Sequence, residues 1–153
     1  MTPEIIVKRT DELTAAEVIQ VIRERVRVFV VEQDCPYQEV DALDDQAVHV
    51  MFKQGNQLVA YARIVPHADG THMSFGRVLV VQAFRKQHLG RQLVVATLTE
   101  VKRRYPERGI KIQAQAYLQS FYGSFGFVPV SDVYLEDNIP HVDMVLAEGS
   151  ADK

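Results

Sequence analysis

A chain of 153 residues, 47% of them apolar and 24% charged, is long enough to bury a core and reads as one globular domain over residues 1–147. Its net charge of −3 excludes a bulk nucleic-acid binder, which needs a basic face. No apolar run approaches the ~20 residues that span a bilayer, so no membrane partner is expected.

Glu4 to Lys8 reads as a short strand. Thr14 to Glu17 has the form of a capping box and opens a helix. Ile19, Ile22, Val26 and Phe29 then follow at steps of three and four, which predicts one buried face. "QDCPYQEVDALDD" (residues 33–45) is a loop with five acidic residues. "VHVMFKQ" and "QLVAYARIV" flank Gly55-Asn56, the signature of a hairpin. After a polar loop a third strand covers Ser74 to Val81, and a helix follows that ends near Tyr105, before Pro106. Ile110 to Gln115 is another strand, and a short helix in "LQSFYGSFGF" breaks at Gly123 and Gly126. Strands around Phe127 to Tyr134 and His141 to Leu146 complete an α/β fold, a mixed sheet with helices on its faces. The tail, 148–153, is expected to be disordered. The lone Cys35 allows no internal disulfide, and the N-terminus has no signal-peptide core. A cytoplasmic protein is expected.

One turn carries more positive charge than the rest of the chain suggests. In "VLVVQAFRKQHLGRQLVV" (residues 78–95), Arg85, Lys86, His88 and Arg91 crowd around Gly90, where a strand passes into a helix. The first amides of a helix lack partners and, with the helix dipole, attract anions. The dipole also makes cations at that end unfavourable unless something negative binds there. The turn therefore predicts a phosphate site. It lacks the spacing of a nucleotide P-loop and the Gly-x-Gly-x-x-Gly of a dinucleotide fold.

The same residues resemble a known pattern. Arg85-Lys86-Gln87-His88-Leu89-Gly90 is similar to the Arg/Gln-x-x-Gly-x-Gly/Ala motif of the GNAT N-acetyltransferases, departing from it at His88, where that family has glycine. "FYGSFGF" (Phe121 to Phe127) matches the family's later Leu-Tyr-x-x-x-Gly-Phe motif at the right distance. "RVRVFVVEQDCPYQEVDALDDQAVH", "ARIV", "FGRVLV", "AQAYLQSFY" and "EDNIPHVDM" resemble the ElaA-like branch over nearly the whole chain. The resemblance implies a mixed, mostly antiparallel sheet with helices on both faces, whose central strands splay apart to admit a pantetheine arm. It implies acetyl-CoA as acyl donor and transfer to a small amine.

On that footing the cofactor side comprises the strand Leu79, Val80 and Val81, the turn Arg85, Lys86, Gln87, His88, Leu89, Gly90 and Arg91, and Gln115. Tyr122 stands at the family's general-acid position, beside the CoA sulfur, where a phenol's proton suits a departing thiolate. For the base, Glu32, His49, Glu136 and His141 qualify by residue type. Glu32, Glu136 and His141 are expected to face the acceptor. Arg63 and Arg77 either join them or belong to a buried ion-pair network, since an arginine among strand residues needs a carboxylate partner. More carboxylates than those two arginines neutralise would favour a cationic acceptor.

Asp41, Asp44, Asp45 and His49 fit neither a calcium loop nor a zinc pattern, so a solvated acidic loop and no metal are expected. Cys35 is expected to be an inert thiol, and His67 and His72 to face solvent. Two other readings stand beside the acetyltransferase. One is a relative of the acyl-homoserine-lactone synthases, which share "RVRVF"-like sequence but need room for an acyl chain. The other is a CoA-binding sensor without turnover. Exposed edge strands also admit a homodimer.

Overall fold

The computed structural model describes residues 2–147; the tail expected to be disordered lies outside the described residues. β1 (Glu4–Arg9), β2 (Val48–Gln54), β3 (Gln57–Pro66) and β4 (Met73–Val80) form an antiparallel meander in that order. The hairpin turn falls at Gly55-Asn56, with Gly55 at φ +62°, as the sequence predicts. α2 (Leu89–Arg104) then crosses to β5 (Lys111–Gln115). β5 pairs with β8 (Ile139–Leu146), and β8 also pairs with the short strands β6 (Phe127–Pro129) and β7 (Tyr134–Glu136). The strand expected over Phe127 to Tyr134 is thus two, and a tight turn at Asp137-Asn138, both at positive φ, returns β7 into β8.

Helices cover both faces. α2 lays Leu89, Leu93, Val94 and Val101 on Val50, Phe52, Ala60, Ala62 and Phe75. On the opposite face α1 (Ala15–Val26) and the wider π-helical turns that continue it through Glu32 pack Val21, Val28 and Phe29 on Met51, Leu58, Tyr61 and Leu79. Each fully buried Val, Leu, Met or Phe among them contributes roughly 1.5–3 kcal/mol. Thr14 caps α1 as read, its hydroxyl accepting from the Glu17 amide while Glu17 accepts from the Thr14 amide. The buried face of α1 is not the expected one. Ile19 is 57% exposed, whereas Arg25 is 1% exposed. Counting only apolar residues shifted the face, because a paired arginine lies on it.

β4 and β5 join the two halves at one end only. Met73 and Ile110 form a parallel bridge, and the Met73 amide donates to the Gly109 carbonyl at 2.9 Å. No further ladder links the two strands among the described residues. They diverge toward Val80 and Gln115, which is the expected splay.

Candidate active site

A cavity of about 780 Å³ occupies the splay. Its walls come from both faces of the sheet: Gly90, Leu118 and Phe121 on the α2 side, and Phe29, Tyr37 and Arg63 on the α1 side. The splay is therefore a passage through the sheet. The edge of β4 that borders it offers backbone groups. The Val81 amide donates to the Val59 carbonyl of β3, so by strand alternation Val80 and Val78 present their amides and carbonyls to the open side.

The basic turn lies at the mouth of this passage. His88 is the N-cap of α2 and takes φ +61°, ψ +18°, without a side-chain cap; Lys86 is also at φ +70°. These are the left-handed conformations for which glycine is the natural residue. His88 thus adopts the shape the family's glycine gives, at a cost in backbone energy. Gly90 lines the cavity, and a Cβ there would lie 3.8 Å from Val80 Cγ2. Arg91 Nη1 donates to Ser124 Oγ at 3.0 Å with its guanidinium over the Phe125 ring, which ties α2 to α3 (Gln119–Gly123). Arg85 is exposed but already engaged: its Nε donates to the Val80 carbonyl at 2.9 Å and its Nη2 to Glu32 at 2.7 Å. Glu32, expected to hold an amine, is therefore paired with the arginine expected to hold phosphate. Neither residue type revealed this, because the two are 53 positions apart.

Tyr122 of α3 lines the cavity and is 5% exposed. Phe75, Phe121 and Phe127 surround its ring, with centroids 5.1–6.1 Å away. Its hydroxyl has no hydrogen-bond partner among the described residues. Burial, with a smaller contribution from Tyr117, pushes its pKa well above the ordinary phenol value, so it holds its proton throughout the neutral range.

On the α1 face the acidic loop is solvated only in part: Asp34 and Asp45 are exposed, while Glu39, Asp41 and Asp44 are drawn into ion pairs. Glu39 is 4% exposed and accepts from Arg25 Nε at 3.0 Å. Arg25 also forks onto Asp44 at 2.6 and 3.0 Å, and Arg63 onto Asp41 at 2.8 and 3.2 Å. Arg77 Nε lies 2.6 Å from Glu39 Oε2. Three arginines meet three carboxylates, so the excess of carboxylate that would favour a cationic acceptor is not there. Arg63 and Arg77 belong to this network, though both also line the cavity. Burial alone would raise the Asp44 pKa. Hydrogen bonds from Arg25 and the Asp41 amide, with the charges of Arg25 and Arg63, instead hold it far below the usual carboxylate range. The sequence signal for the network was Arg25, a cation in step with Val21 and Val28.

His141 also lines the cavity. Its Nδ1 lies 2.7 Å from the Ile139 carbonyl and must donate to it, which leaves Nε2 as the acceptor in the neutral ring. Tyr134 stacks on the ring. Glu136 stands at the exposed rim of the cavity. Gln115 Nε2 donates to Gln33 Oε1 at 3.3 Å, joining the end of β5 to the end of the first helix. His49 is placed elsewhere: it is 3% exposed within the sheet, between Tyr61 and Thr10, and it does not line the cavity. Cys35 is buried, its thiol donating to the Asp137 carbonyl at 3.4 Å. His72 and His67 face Asp69 at 2.7 and 3.5 Å rather than solvent alone.

Comparison with known proteins agrees with this geometry. A family model described as "Acetyltransferase (GNAT) domain" matches residues 11–148. Protein ElaA of Escherichia coli K12 is 42% identical over 136 residues, 87% of this chain and 89% of its own. The crystal structure of an acyl-CoA N-acyltransferase from Pseudomonas aeruginosa is 41% identical and superposes with a TM-score of 0.90, covering 95% of this chain and 99% of that one. A CoA-dependent acyl-homoserine lactone synthase, 18% identical, superposes with a TM-score of 0.75 over 98% of this chain and 86% of that one. That likeness shows the fold alone.

Proposed function

Because this chain belongs to the GNAT acetyltransferase family and is ElaA-like, we propose that it transfers the acetyl group of acetyl-CoA to the nitrogen of a small amine. The observation that carries the proposal is the passage between β4 and β5. It connects the N-terminus of α2 with the α1 face, and Tyr122 stands on its wall. The edge of β4 at Val78 and Val80 suits the amides of an extended arm, which would pair with it as an added strand does. The amides of Leu89, Gly90 and Arg91 at the start of α2, aided by Lys86 and Arg91, suit a pyrophosphate. Acetyl-CoA supplies an activated acyl carbon. The chain's own task is to hold that carbon beside a neutral amine and to return a proton to the sulfur.

Tyr122 suits the second task. Its phenol is protonated and has no internal partner to compete for the proton. The C–S bond breaks as the C–N bond forms, and the thiolate takes the Tyr122 proton. His141 suits the first task, because Nδ1–H is committed to Ile139 and Nε2 is left to accept a proton from the attacking amine. Glu136 at the rim is a further carboxylate for an amine to meet. Positioning supplies much of the acceleration, since an oriented pair reacts as if at very high effective concentration. The proposed setting is the cytoplasm, where acetyl-CoA is available and the Cys35 thiol remains reduced.

Incubation with acetyl-CoA and a panel of primary amines, read by thiol release, tests this. Thiol release that depends on the amine, together with acetylated product, is expected. Binding of CoA without release for any amine would favour the sensor. A rate that rises with donor chains of six or more carbons would favour the long-chain synthase.

A further inference from the structure

The two half-sheets leave four strand edges unpaired among the described residues, and three of them are occupied or blunted. β4 and β5 border the cavity. Beyond β8, β6 and β7 are three residues each, and β6 ends in Pro129, which has no amide to offer. β1 is different. Its six residues, Glu4–Arg9, contain no proline or glycine and run against β2 without a bulge. Its outer side pairs with nothing among the described residues, and Ile5 is 53% exposed there. No residue of β1 lines the cavity.

What β1 offers on that side follows from its pairing with β2. The register that sets Arg9 opposite Val48 continues to Thr10, whose amide donates to the Ala47 carbonyl directly opposite at 3.1 Å. In an antiparallel ladder such bonded pairs alternate with open ones. Lys8, Ile6 and Glu4 therefore bond inward to β2, and Arg9, Val7 and Ile5 turn their amides and carbonyls outward. The side chains alternate too. Ile6 packs on the α1 face and Val7 on the α2 face, and Lys8 bonds Glu17 of α1 at 3.0 Å. Glu4, Ile6 and Lys8 thus share the α1 face, while Ile5, Val7 and Arg9 share the other.

A second copy of this strand, run antiparallel about a two-fold axis through the sheet, keeps each face on its own side. Residues opposite one another then come from the same face. Centred on Glu4, Lys8 or Arg9, the pairing sets that charge against itself, which destabilises. Centred on Ile5 or Val7, it sets a charged residue against an isoleucine. Centred on Ile6, it sets Glu4 opposite Lys8, Ile5 opposite Val7, and Ile6 opposite itself. That register alone matches opposite charges and apolar residues throughout. It also aligns the outward groups, the Ile5 amide with the Val7 carbonyl and the Val7 amide with the Ile5 carbonyl, twice over by symmetry. We propose that the open edge of β1 is a self-association surface, at which two copies of this chain pair antiparallel about Ile6 and join their half-sheets into one. The pairing does not depend on the acyltransferase reading, and it leaves both cavities uncovered by β1.

Analytical ultracentrifugation of the full chain from about 1 µM to about 0.1 mM tests this. A monomer–dimer equilibrium is expected, with the Ile5 and Val7 amides protected from hydrogen exchange at the upper end and exchanging freely at the lower. Glu4 is exposed, and Glu4→Lys sets a lysine against Lys8 of the second copy, so the dimer should weaken about tenfold or more. Adding Lys8→Glu restores opposite charges across the axis and should recover part of the loss. Ile5→Pro removes an outward amide that β2 does not use, and should also weaken the dimer about tenfold or more. Circular dichroism checks that each variant is folded; should Ile5→Pro disturb the strand, the two charge variants decide. A chain that stays monomeric through this range overturns the proposal. A dimer that the folded Glu4→Lys variant leaves intact also overturns it, because such a dimer uses another surface. A folded double variant that recovers no affinity contradicts the register about Ile6.

Discussion

Tyr122 and His49 show how burial gives two titratable side chains different parts. Enclosed by Phe75, Phe121 and Phe127, Tyr122 keeps its proton because burial penalises the phenolate. Tyr122→Phe keeps the packing and removes the proton, so kcat should fall by about 10²-fold or more while KM for acetyl-CoA stays close to wild type. Steady-state kinetics check this, and an unchanged kcat removes Tyr122 from the reaction. His49, by contrast, is a group of the fold. Thr10 Oγ1 lies 2.6 Å from the Asp44 carbonyl, to which its hydroxyl donates. His49 Nε2–H therefore donates to Thr10, and Nδ1 accepts from Tyr61. Burial first, reinforced by the charges of Arg25 and Arg63 and opposed by Asp44, lowers the His49 pKa from 6.5 to about 4. The unfolded chain therefore binds the extra proton between those values. Stability contributed by neutral His49 is complete above pH 6.5 and declines as pH falls to about 4, by about 3 kcal/mol at most. Denaturant titrations across this range should show the decline, and His49→Gln should remove it. An equal slope in both proteins contradicts the assignment. His49 was a candidate base by residue type alone; only the sheet register, which sets it opposite Arg63 and Lys8, shows where it lies.

Among the elements, α2 and the turn before it were the most legible part of the chain. The turn from strand to helix, its cations and its glycine could be read directly, because each has a local cause. The departure at His88, histidine where the pattern has glycine, was legible as well, but that its backbone keeps the left-handed shape is seen only in the structure. His88→Gly should relieve the αL penalty, worth roughly 1–2 kcal/mol, less the greater freedom that glycine gives the unfolded chain. A higher Tm, with CoA affinity by calorimetry unchanged or tighter, is expected; a lower Tm would mean that the imidazole makes a compensating contact. α1 was read less well. Its cap follows from Thr14 and Glu17, but its buried face does not follow from apolar spacing. Arg25 occupies a core position, and Ile19 is left outside. A charge whose partners lie 14 and 19 residues away carries no local signal of its burial. The same reason hid the pairing of Arg85 with Glu32. The division of residues 127–136 into two strands depends on β8 pairing with both, which is also a long-range fact.

At the scale of the whole molecule, two halves of a sheet meet at Met73 and Ile110 and part beyond. The Arg25, Arg63, Arg77, Glu39, Asp41 and Asp44 network braces one half against α1. Removing one member leaves buried charge without a partner, so Arg25→Ala should cost about 3–5 kcal/mol by chemical denaturation. A loss below about 1 kcal/mol would mean that water replaces the guanidinium readily. The family-level pattern made the splay and the acyltransferase family legible, since the motifs at Arg85 to Gly90 and Phe121 to Phe127 both border the gap. It did not reveal what fills the α1 face, where Arg25, the carboxylates of residues 39–44, Arg63 and Arg77 come from four separate segments. The account depends above all on an acyl-CoA arm lying in the gap against the edge of β4, where Arg85 now holds the Val80 carbonyl. A crystal structure of the protein with acetyl-CoA tests this most directly. The account predicts the pantetheine arm along Val78 and Val80, the pyrophosphate at the start of α2, the thioester beside Tyr122, and Arg85 withdrawn from the Val80 carbonyl. Acetyl-CoA bound outside the gap, with Arg85 still on Val80, would contradict it.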